Sequence, residues 1–434
     1  MFRKGLTTIE TLRYGSQGPA VALLQTALNR AGESAGTPDG IFGNRTQLAV
    51  MRFQSANGLT PDGIVGGKTH SRLMPFYTGY TQHTVARGDT FYRLARRYGT
   101  TVSAIAAANP QINPNRLQIG QILVVPLGFD VVATDIPISS ETAALYIKGL
   151  AARYPFIRTG SIGTSVMGRP IQLLSIGTGA AEVFYNGAHH ANEWITTPLL
   201  LRYCEEYAAA VAFGRNIYNQ SAAALFARTT LYVVPLVNPD GVDLVTGALT
   251  GGPYYEQAER ISDAYPQIPF PNGWKANIDG IDPNLSYPAE WERAREIKFA
   301  QGFTSPAPRD YVGTAPLDAV ESRAVYDFTN AHNFLLTLSY HTQGEVIYWQ
   351  FLDYLPARSE EIGRAFAAAS GYELAETPYE SSFAGYKDWF IQRFDRPGYT
   401  IEAGRGESPL PLSQFPEIYA DNVGILTLGM SLAQ

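Results

Sequence analysis

The chain has 434 residues, 45% of them hydrophobic and 17% charged, which is the composition of a globular protein with ample length for several domains rather than of a disordered tail or coiled coil. Its net charge of −6 comes from 33 basic and 39 acidic residues with no Lys/Arg-rich block, so nucleic acid is excluded as an expected partner. The single cysteine, Cys204, rules out disulfides within the chain.

The N-terminal stretch "MFRKGLTTIETLRYG" has no apolar core or cleavage site of a secretory signal, and nowhere do 18 consecutive apolar residues predict a membrane span. From about residue 9 to 76, Leu23, Leu24 and Leu28 predict the apolar stripe of one helix and Leu48, Val50 and Phe53 that of another. Asp-Gly turns introduce the later elements, so a small helical bundle is expected. The Gly-Ser-x-Gly opening, the Leu-Gln pair, the repeated Asp-Gly-x-x-Gly and the Phe-Gln resemble the peptidoglycan-binding domain of wall hydrolases.

Residues 82–127 read strand, helix, helix, strand: a strand beginning at Val85, a Gly88-Asp89-Thr90 turn, a helix, a second helix holding Ile105 and Ala106, and the strand "QILVVP". This βααβ order resembles a LysM module, which binds glycans containing N-acetylglucosamine. The resemblance places a sugar groove between the Gly88–Tyr92 and Asn109–Asn113 loops, with Gly88, Asp89, Thr90, Asn109 and Asn113 as candidate contacts; a helix cap is the structural alternative for the Gly-Asp-Thr turn. A net acidic chain is not drawn to an anionic wall by charge, so recognition is expected from hydrogen bonds and apolar contact in a preformed groove. "GFDVVATDIPISS" reads as a linker into a domain of residues 135–434.

In that third segment, helical stretches alternate with the apolar runs "QLLSIG", "AEVFYNGA", "TTLYVVPLVNPDG", "NFLLTLSYH" and "GYTIEAG". The alternation predicts an α/β domain, a mixed sheet flanked by helices, with ligands expected where the strands end. Polar sites stand at those ends. "GAHHANEW" puts two of the chain's six histidines at a strand-to-helix turn, where His190 and Glu193 can both face a Zn²⁺, and His189 and Glu193 form a competing i, i+4 pair. His341, after "LLTLSY", supplies a third ligand from another strand end. Two histidines and one carboxylate leave a fourth position open to water, as in catalytic zinc sites. On the strand "YTIEAG", Thr400 and Glu402 share one face and Tyr399 and Ile401 the other, and a glutamate on a buried strand is costly unless it serves a site. Cys204, on the apolar helix that follows, is expected in the core.

These features in this order, with Asn238-Pro-Asp-Gly241, resemble the zinc carboxypeptidase family over residues 135–434. The resemblance implies one Zn²⁺ held by His190, Glu193 and His341, Glu402 as general base, and Lys275, which follows Trp274 where the family has an arginine, as the group stabilising the oxyanion. The family clamps a substrate's terminal carboxylate with Asn and Arg in an Asp-x-Asn-Arg segment; here Asn284 is kept and Leu285 stands at the arginine position. Tyr379 is the candidate for the family's mobile tyrosine, with Tyr386 its rival.

Wall-binding modules together with Leu285 resemble bacterial peptidases that cut between D-glutamate and the diamino acid of the peptidoglycan stem, which implies glycan strands and stem peptides as partners and a place at the wall, secreted or in a spore compartment. Arg405 is the candidate contact for the diamino acid's distal carboxylate. Two alternatives are a carboxypeptidase trimming C-terminal residues of wall peptides, with Arg405 replacing the lost arginine, and an inactive wall-binding protein whose peptidase has decayed. Retention of His190, Glu193, His341 and Glu402 together argues against the second.

Overall fold

The computed structural model describes residues 10–433, so Ile9 and most of the N-terminal stretch read above lie outside the described residues. The chain divides into two compact units, residues 1–157 and 158–434. Among the described residues no helix is long and apolar enough to cross a membrane.

The first unit opens with three helices, Pro19–Arg30, Asn44–Ala56 and Gly67–Thr78. Their arrangement follows from a duplicated polar device. Gln25 Nε2 donates to Asp39 Oδ1 at 2.8 Å and to Thr46 Oγ1 at 3.0 Å while its Oε1 accepts from Gly40 N at 3.0 Å. Gln54 repeats the pattern with Asp62 at 2.8 Å, Thr69 at 3.2 Å and Gly63 N at 3.0 Å. Each buried glutamine thereby staples one Asp-Gly turn to the next helix, which is why the Gln and Asp-Gly signals recur together. Leu23, Leu24 and Leu28 are buried as expected. Leu48 is not: it is 55% exposed, and Ala49, Val50 and Phe53 form the inward stripe instead.

Next come strand β1 (Tyr80–Thr84), helices Phe91–Tyr98 and Val102–Ala108, and strand β2 (Ile122–Pro126), antiparallel to β1 with Tyr80 opposite Pro126. The first strand ends just before Val85, where it was expected to begin, although Val85 still exchanges hydrogen bonds with Gln121 and Gly120. Thr90 and Thr101 cap the helices by accepting from Arg93 N and Ala104 N. The expected linker is packed rather than free. Val131 is fully buried, and the Arg30 guanidinium binds the Asp130 and Val131 carbonyls at 2.7 and 3.1 Å. The helix Ser140–Arg153 packs on helix Gly67–Thr78, on Val102–Ala108 and on both strands, so it joins the two small modules by its contacts.

The second unit is built on an eight-stranded mixed sheet. Its strands are β3 (Arg158–Thr164), β4 (Pro170–Gly177) and β5 (Ala181–Gly187); then, after a minor hairpin of β6 (Asn216–Ile217) and β7 (Gln220–Ser221), β8 (Thr229–Val234), β9 (Phe334–His341), β10 (Val346–Tyr348), β11 (Glu373–Ala375) and β12 (Gly398–Glu402). Their order is β11-β10-β12-β9-β5-β8-β4-β3. The central neighbours β12, β9, β5 and β8 are parallel, so their carboxyl ends fall along one edge. Register sets Glu402 opposite His341 and Gly187 opposite Tyr340. These strands are apolar on both faces because helices such as Thr196–Ala212, which carries buried Cys204, cover them.

Candidate active site

At that edge β5 ends at Gly187 and the chain makes one short 3-10 turn, Ala191–Glu193, before helix Thr196–Ala212. The turn brings His190 Nδ1 to 2.9 Å from Glu193 Oε1. From the end of β9, His341 Nδ1 lies 2.9 Å from Glu193 Oε2 and 3.2 Å from His190 Nδ1. The ligand atoms of these residues all lie within 4.8 Å of one another. Four ligands about 2.0–2.2 Å from a tetrahedral zinc stand about 3.3 Å apart, so the spacing fits that ion. Ring orientation fits too. Each histidine aims Nδ1 inward, while His190 Nε2 meets Asp282 Oδ1 at 3.1 Å and His341 Nε2 faces Ser339 Oγ at 3.4 Å, with Ser339 donating to Asn186 Oδ1 at 2.8 Å. Outer partners of this kind fix the tautomer of a metal-binding imidazole.

His189 does not join the group. It is fully buried, its Nε2 is 3.0 Å from the Tyr287 hydroxyl, and its ring stacks near His341 and Tyr386. Burial, followed by its histidine neighbours, keeps it neutral, so its place is beneath the site.

Glu402, at the end of β12, lines the same cleft, and its carboxylate makes no hydrogen bond among the described residues. Burial and then the charge of Glu193 push its pKa up to about 8, while Lys275 and His190 pull it down. A divalent cation at the neighbouring ligands acts in that same downward direction. Thr400 lines the cleft beside it, whereas Tyr399 and Ile401 are fully buried on the other face, as the alternation predicted.

Lys275 reaches the site from the loop after Trp274, with Nζ 2.8 Å from Glu193 Oε1. Burial, the largest single influence, and the charge of Arg309 would lower its pKa, but the charge and hydrogen bond of Glu193 together with the charge of Glu402 raise it overall and keep it a cation. The loop is held by Pro308 O, which accepts from Lys275 N and Ala276 N, and by Lys275 O, which accepts from Ala191 N. Asn238, the first residue of Asn-Pro-Asp-Gly, donates through Nδ2 to His189 O at 3.1 Å and to Ala276 O at 2.9 Å. That motif therefore clamps the histidine turn to the lysine loop from a buried position.

The cleft has a volume of about 210 Å³ and runs from His190 and His341 past Asn284, Leu285, Arg309 and Lys387. Asn284 accepts from Tyr386 N at 3.1 Å through Oδ1, and its Nδ2 has no partner among the described residues. Leu285 presents an apolar wall at the expected arginine position. Two candidates lie elsewhere. Tyr379 is 57% exposed and turned to Arg293, whose Nε and Nη2 donate to its hydroxyl at 3.1 and 2.8 Å, so it is outside the cleft lining. The Arg405 side chain is 77% exposed and pairs with Glu345 from the turn before β10. Tyr386, the rival of Tyr379, is fully buried against Thr329.

In the small modules, the candidate glycan contacts are occupied within the fold. Asp89 Oδ2 binds His83 at 2.7 Å and Ala86 N at 2.8 Å; buried Asn109 donates to Ile105 O and exchanges bonds with Val124; Thr90 is a helix cap; Asn113 accepts from Asn115 N; and the Gly88 carbonyl accepts from Arg93. These bonds shape the loops, and the Thr90 cap is the structural alternative recognised for the Gly-Asp-Thr turn.

Sequence reasoning gave no role to Asp282, Arg309 or Lys387. Asp282 heads the Asp-x-Asn segment, and a histidine ligand's need for a carboxylate partner was the available signal. Lys387 donates to Gln350 O at 2.6 Å and to Thr377 Oγ1 at 3.0 Å and pairs with Asp388 at 2.7 Å. It follows Tyr386 in "GYKDW".

The zinc carboxypeptidase family matches residues 144–424. The chain belongs to that family. This zinc carboxypeptidase family member also matches a putative peptidoglycan binding domain over residues 17–73 and a LysM domain over 83–126. It is 42% identical over 288 residues to a γ-D-glutamyl-L-diamino acid endopeptidase of Lysinibacillus sphaericus, covering 66% of this chain and 70% of the relative. It is 40% identical over 283 residues to the uncharacterised protein YqgT of Bacillus subtilis, covering 64% and 73%. In fold it is similar to the carboxypeptidase A of Helicoverpa armigera, with a TM-score of 0.51 at 17% identity, over 90% of this chain and 87% of that one. It is thus a zinc metallopeptidase with wall-binding modules ahead of its mixed-sheet domain.

Proposed function

We propose that the chain hydrolyses the γ-D-glutamyl–diamino acid bond of peptidoglycan stem peptides, using one zinc held by His190, Glu193 and His341. The observation that carries this reading is Leu285. It lines a cleft that otherwise has a complete peptidase constellation, at the position where a terminal carboxylate would need a cation. The similarity to a γ-D-glutamyl-L-diamino acid endopeptidase supports the same bond.

Zinc, when bound, lowers the pKa of water toward neutrality and polarises the scissile carbonyl. Glu402, free of other hydrogen bonds, takes the water's proton and passes it to the leaving amine. Lys275 places a positive charge beside the developing oxyanion. Asn284 offers its amide nitrogen to the substrate backbone, and Asp282 holds the His190 ring in place.

The test is a comparison of L-Ala-γ-D-Glu-meso-diaminopimelate, the corresponding lysine stem and a hydrophobic carboxypeptidase substrate, with products identified by mass spectrometry. Cleavage of the γ bond with little release from the ordinary substrate is the expected result. Efficient trimming of the ordinary substrate with the γ bond intact would promote the carboxypeptidase reading instead.

The modules are proposed to hold the enzyme on glycan strands at the cell wall, raising its effective concentration on an insoluble polymer. A chain starting at Arg158 should retain hydrolysis of a soluble stem peptide within about 3-fold and lose ~10-fold or more on intact wall, because tethering acts only on the polymer. Helix Ser140–Arg153 packs on the modules, so a cut at residue 127 would strip it of partners and confuse the comparison. Equal losses on both substrates would refute the tether.

A further inference from the structure

The sequence leaves a gap: Leu285 cannot pair with a carboxylate, and Arg405 stands outside the cleft, committed to Glu345. The cleft nevertheless contains an arginine. Arg309 lies on its wall with His190, Lys275, Asp282 and Asn284, 24 residues beyond Leu285 in sequence.

Its surroundings set it apart from the other cations there. Lys387 is fully engaged by Gln350 O, Thr377 Oγ1 and Asp388. Lys298 is paired with Asp310 at 2.6 Å. Lys275 leans on Glu193 beside the metal ligands. Arg309 uses only Nε, which donates to Asp310 Oδ2 at 2.6 Å, and its terminal nitrogens have no hydrogen-bond partner among the described residues. Those nitrogens form the planar fork suited to a carboxylate.

The arginine is also held in place. Asp310 adopts a φ of +65°, an unfavourable conformation for a residue other than glycine, and is fixed there from several sides. Its backbone N donates to Asp282 Oδ2 at 3.2 Å, and its carboxylate is shared between Lys298 and Arg309. Pro308, just before Arg309, accepts from the backbone of the Lys275 loop. The Arg309 stem is thereby tied to the partner of His190 and to the oxyanion loop, and the residue lines the cleft with its terminal nitrogens unpaired among the described residues.

The geometry points to Arg309 as the specificity-determining residue that binds a substrate carboxylate flanking the scissile amide. The inference rests on the γ-bond reading, which offers such a carboxylate on either side of the bond. A γ-linked D-glutamate leaves its α-carboxylate free on the acyl side. A diamino acid at the end of the stem presents its own α-carboxylate on the amine side.

The experiment measures kcat/KM of the full zinc-loaded chain on γ-linked stems in matched pairs, one pair with glutamate or isoglutamine before the bond and one with a free or amidated diamino acid after it. The parent is expected to prefer the free carboxylate by ~10-fold or more in one pair, the size of a charge-assisted bidentate contact. Arg309→Gln should reduce that preference to within about 3-fold, and Arg309→Lys should keep part of it, since charge remains without the fork. Bound zinc at the parent's stoichiometry in both variants separates lost recognition from lost fold. Collapse of the first preference identifies the glutamate carboxylate as the ligand, and collapse of the second identifies that of the diamino acid. If the parent cuts the γ bond and Arg309→Gln leaves both preferences unchanged, this inference falls while the proposed function stands. A parent that cuts no γ bond in any stem overturns both.

Discussion

Glu402→Gln is expected to keep its zinc and lose ~10²–10⁴-fold in kcat, the range for removal of a positioned general base. Glutamine has the same shape and can still bind water, but it cannot accept the proton. The fold should tolerate the change. The Glu402 carboxylate has no hydrogen-bond partner among the described residues, so the isosteric glutamine breaks no side-chain bond and the unfolding midpoint should not fall. His341→Ala should behave in the opposite way. It removes one ligand from the end of β9 and leaves Glu193 Oε2 without its 2.9 Å partner, so zinc and activity should be lost together. Elemental analysis of the purified proteins and hydrolysis of a soluble stem peptide distinguish the two. A Glu402→Gln variant with parental turnover, or a His341→Ala variant active after exhaustive chelation, would overturn the assignment.

The second large effect is expected at Lys275. Lys275→Met should lower kcat by ~10²–10³-fold with a much smaller change in KM, because the positive charge is needed most when the carbonyl oxygen becomes an oxyanion. Lys275→Arg should recover a substantial part, since the charge is restored at a site where a point charge suffices. The 2.8 Å contact to Glu193 Oε1 makes a competing role testable in the same experiment. If Lys275 served only to balance the Glu193 charge, zinc affinity would change while kcat at saturating zinc stayed at the parental level, and the oxyanion role would be refuted.

Much of this site is legible in the sequence, for a local reason. His190 and Glu193 are three residues apart at the end of an apolar run, so one turn of chain places both side chains on one side. Glu402 and Thr400 share a strand face by simple alternation, and the catalytic domain's mixed sheet follows from apolar runs alternating with helical stretches. The Gln-linked Asp-Gly turns of the N-terminal helices were equally visible, because each repeat carries its own staple.

What the sequence by itself determined was the set of chemical groups, the strand ends from which they project and the substitution of leucine for arginine at position 285. Tertiary structure decided which groups meet. Parallel pairing in register set Glu402 opposite His341, and burial against Tyr287 took His189 out of the competing pair. Packing turned Leu48 to solvent, committed Asp89 and Asn109 to their own module, and left Tyr379 and Arg405 outside the cleft. It also brought in Arg309, whose place on the cleft wall is set by backbone bonds to Lys275 and by Asp310 bound to Asp282. Periodicity reports which face of one element is apolar, but proximity between residues distant in the chain depends on how elements pair, and no spacing within a single element encodes that.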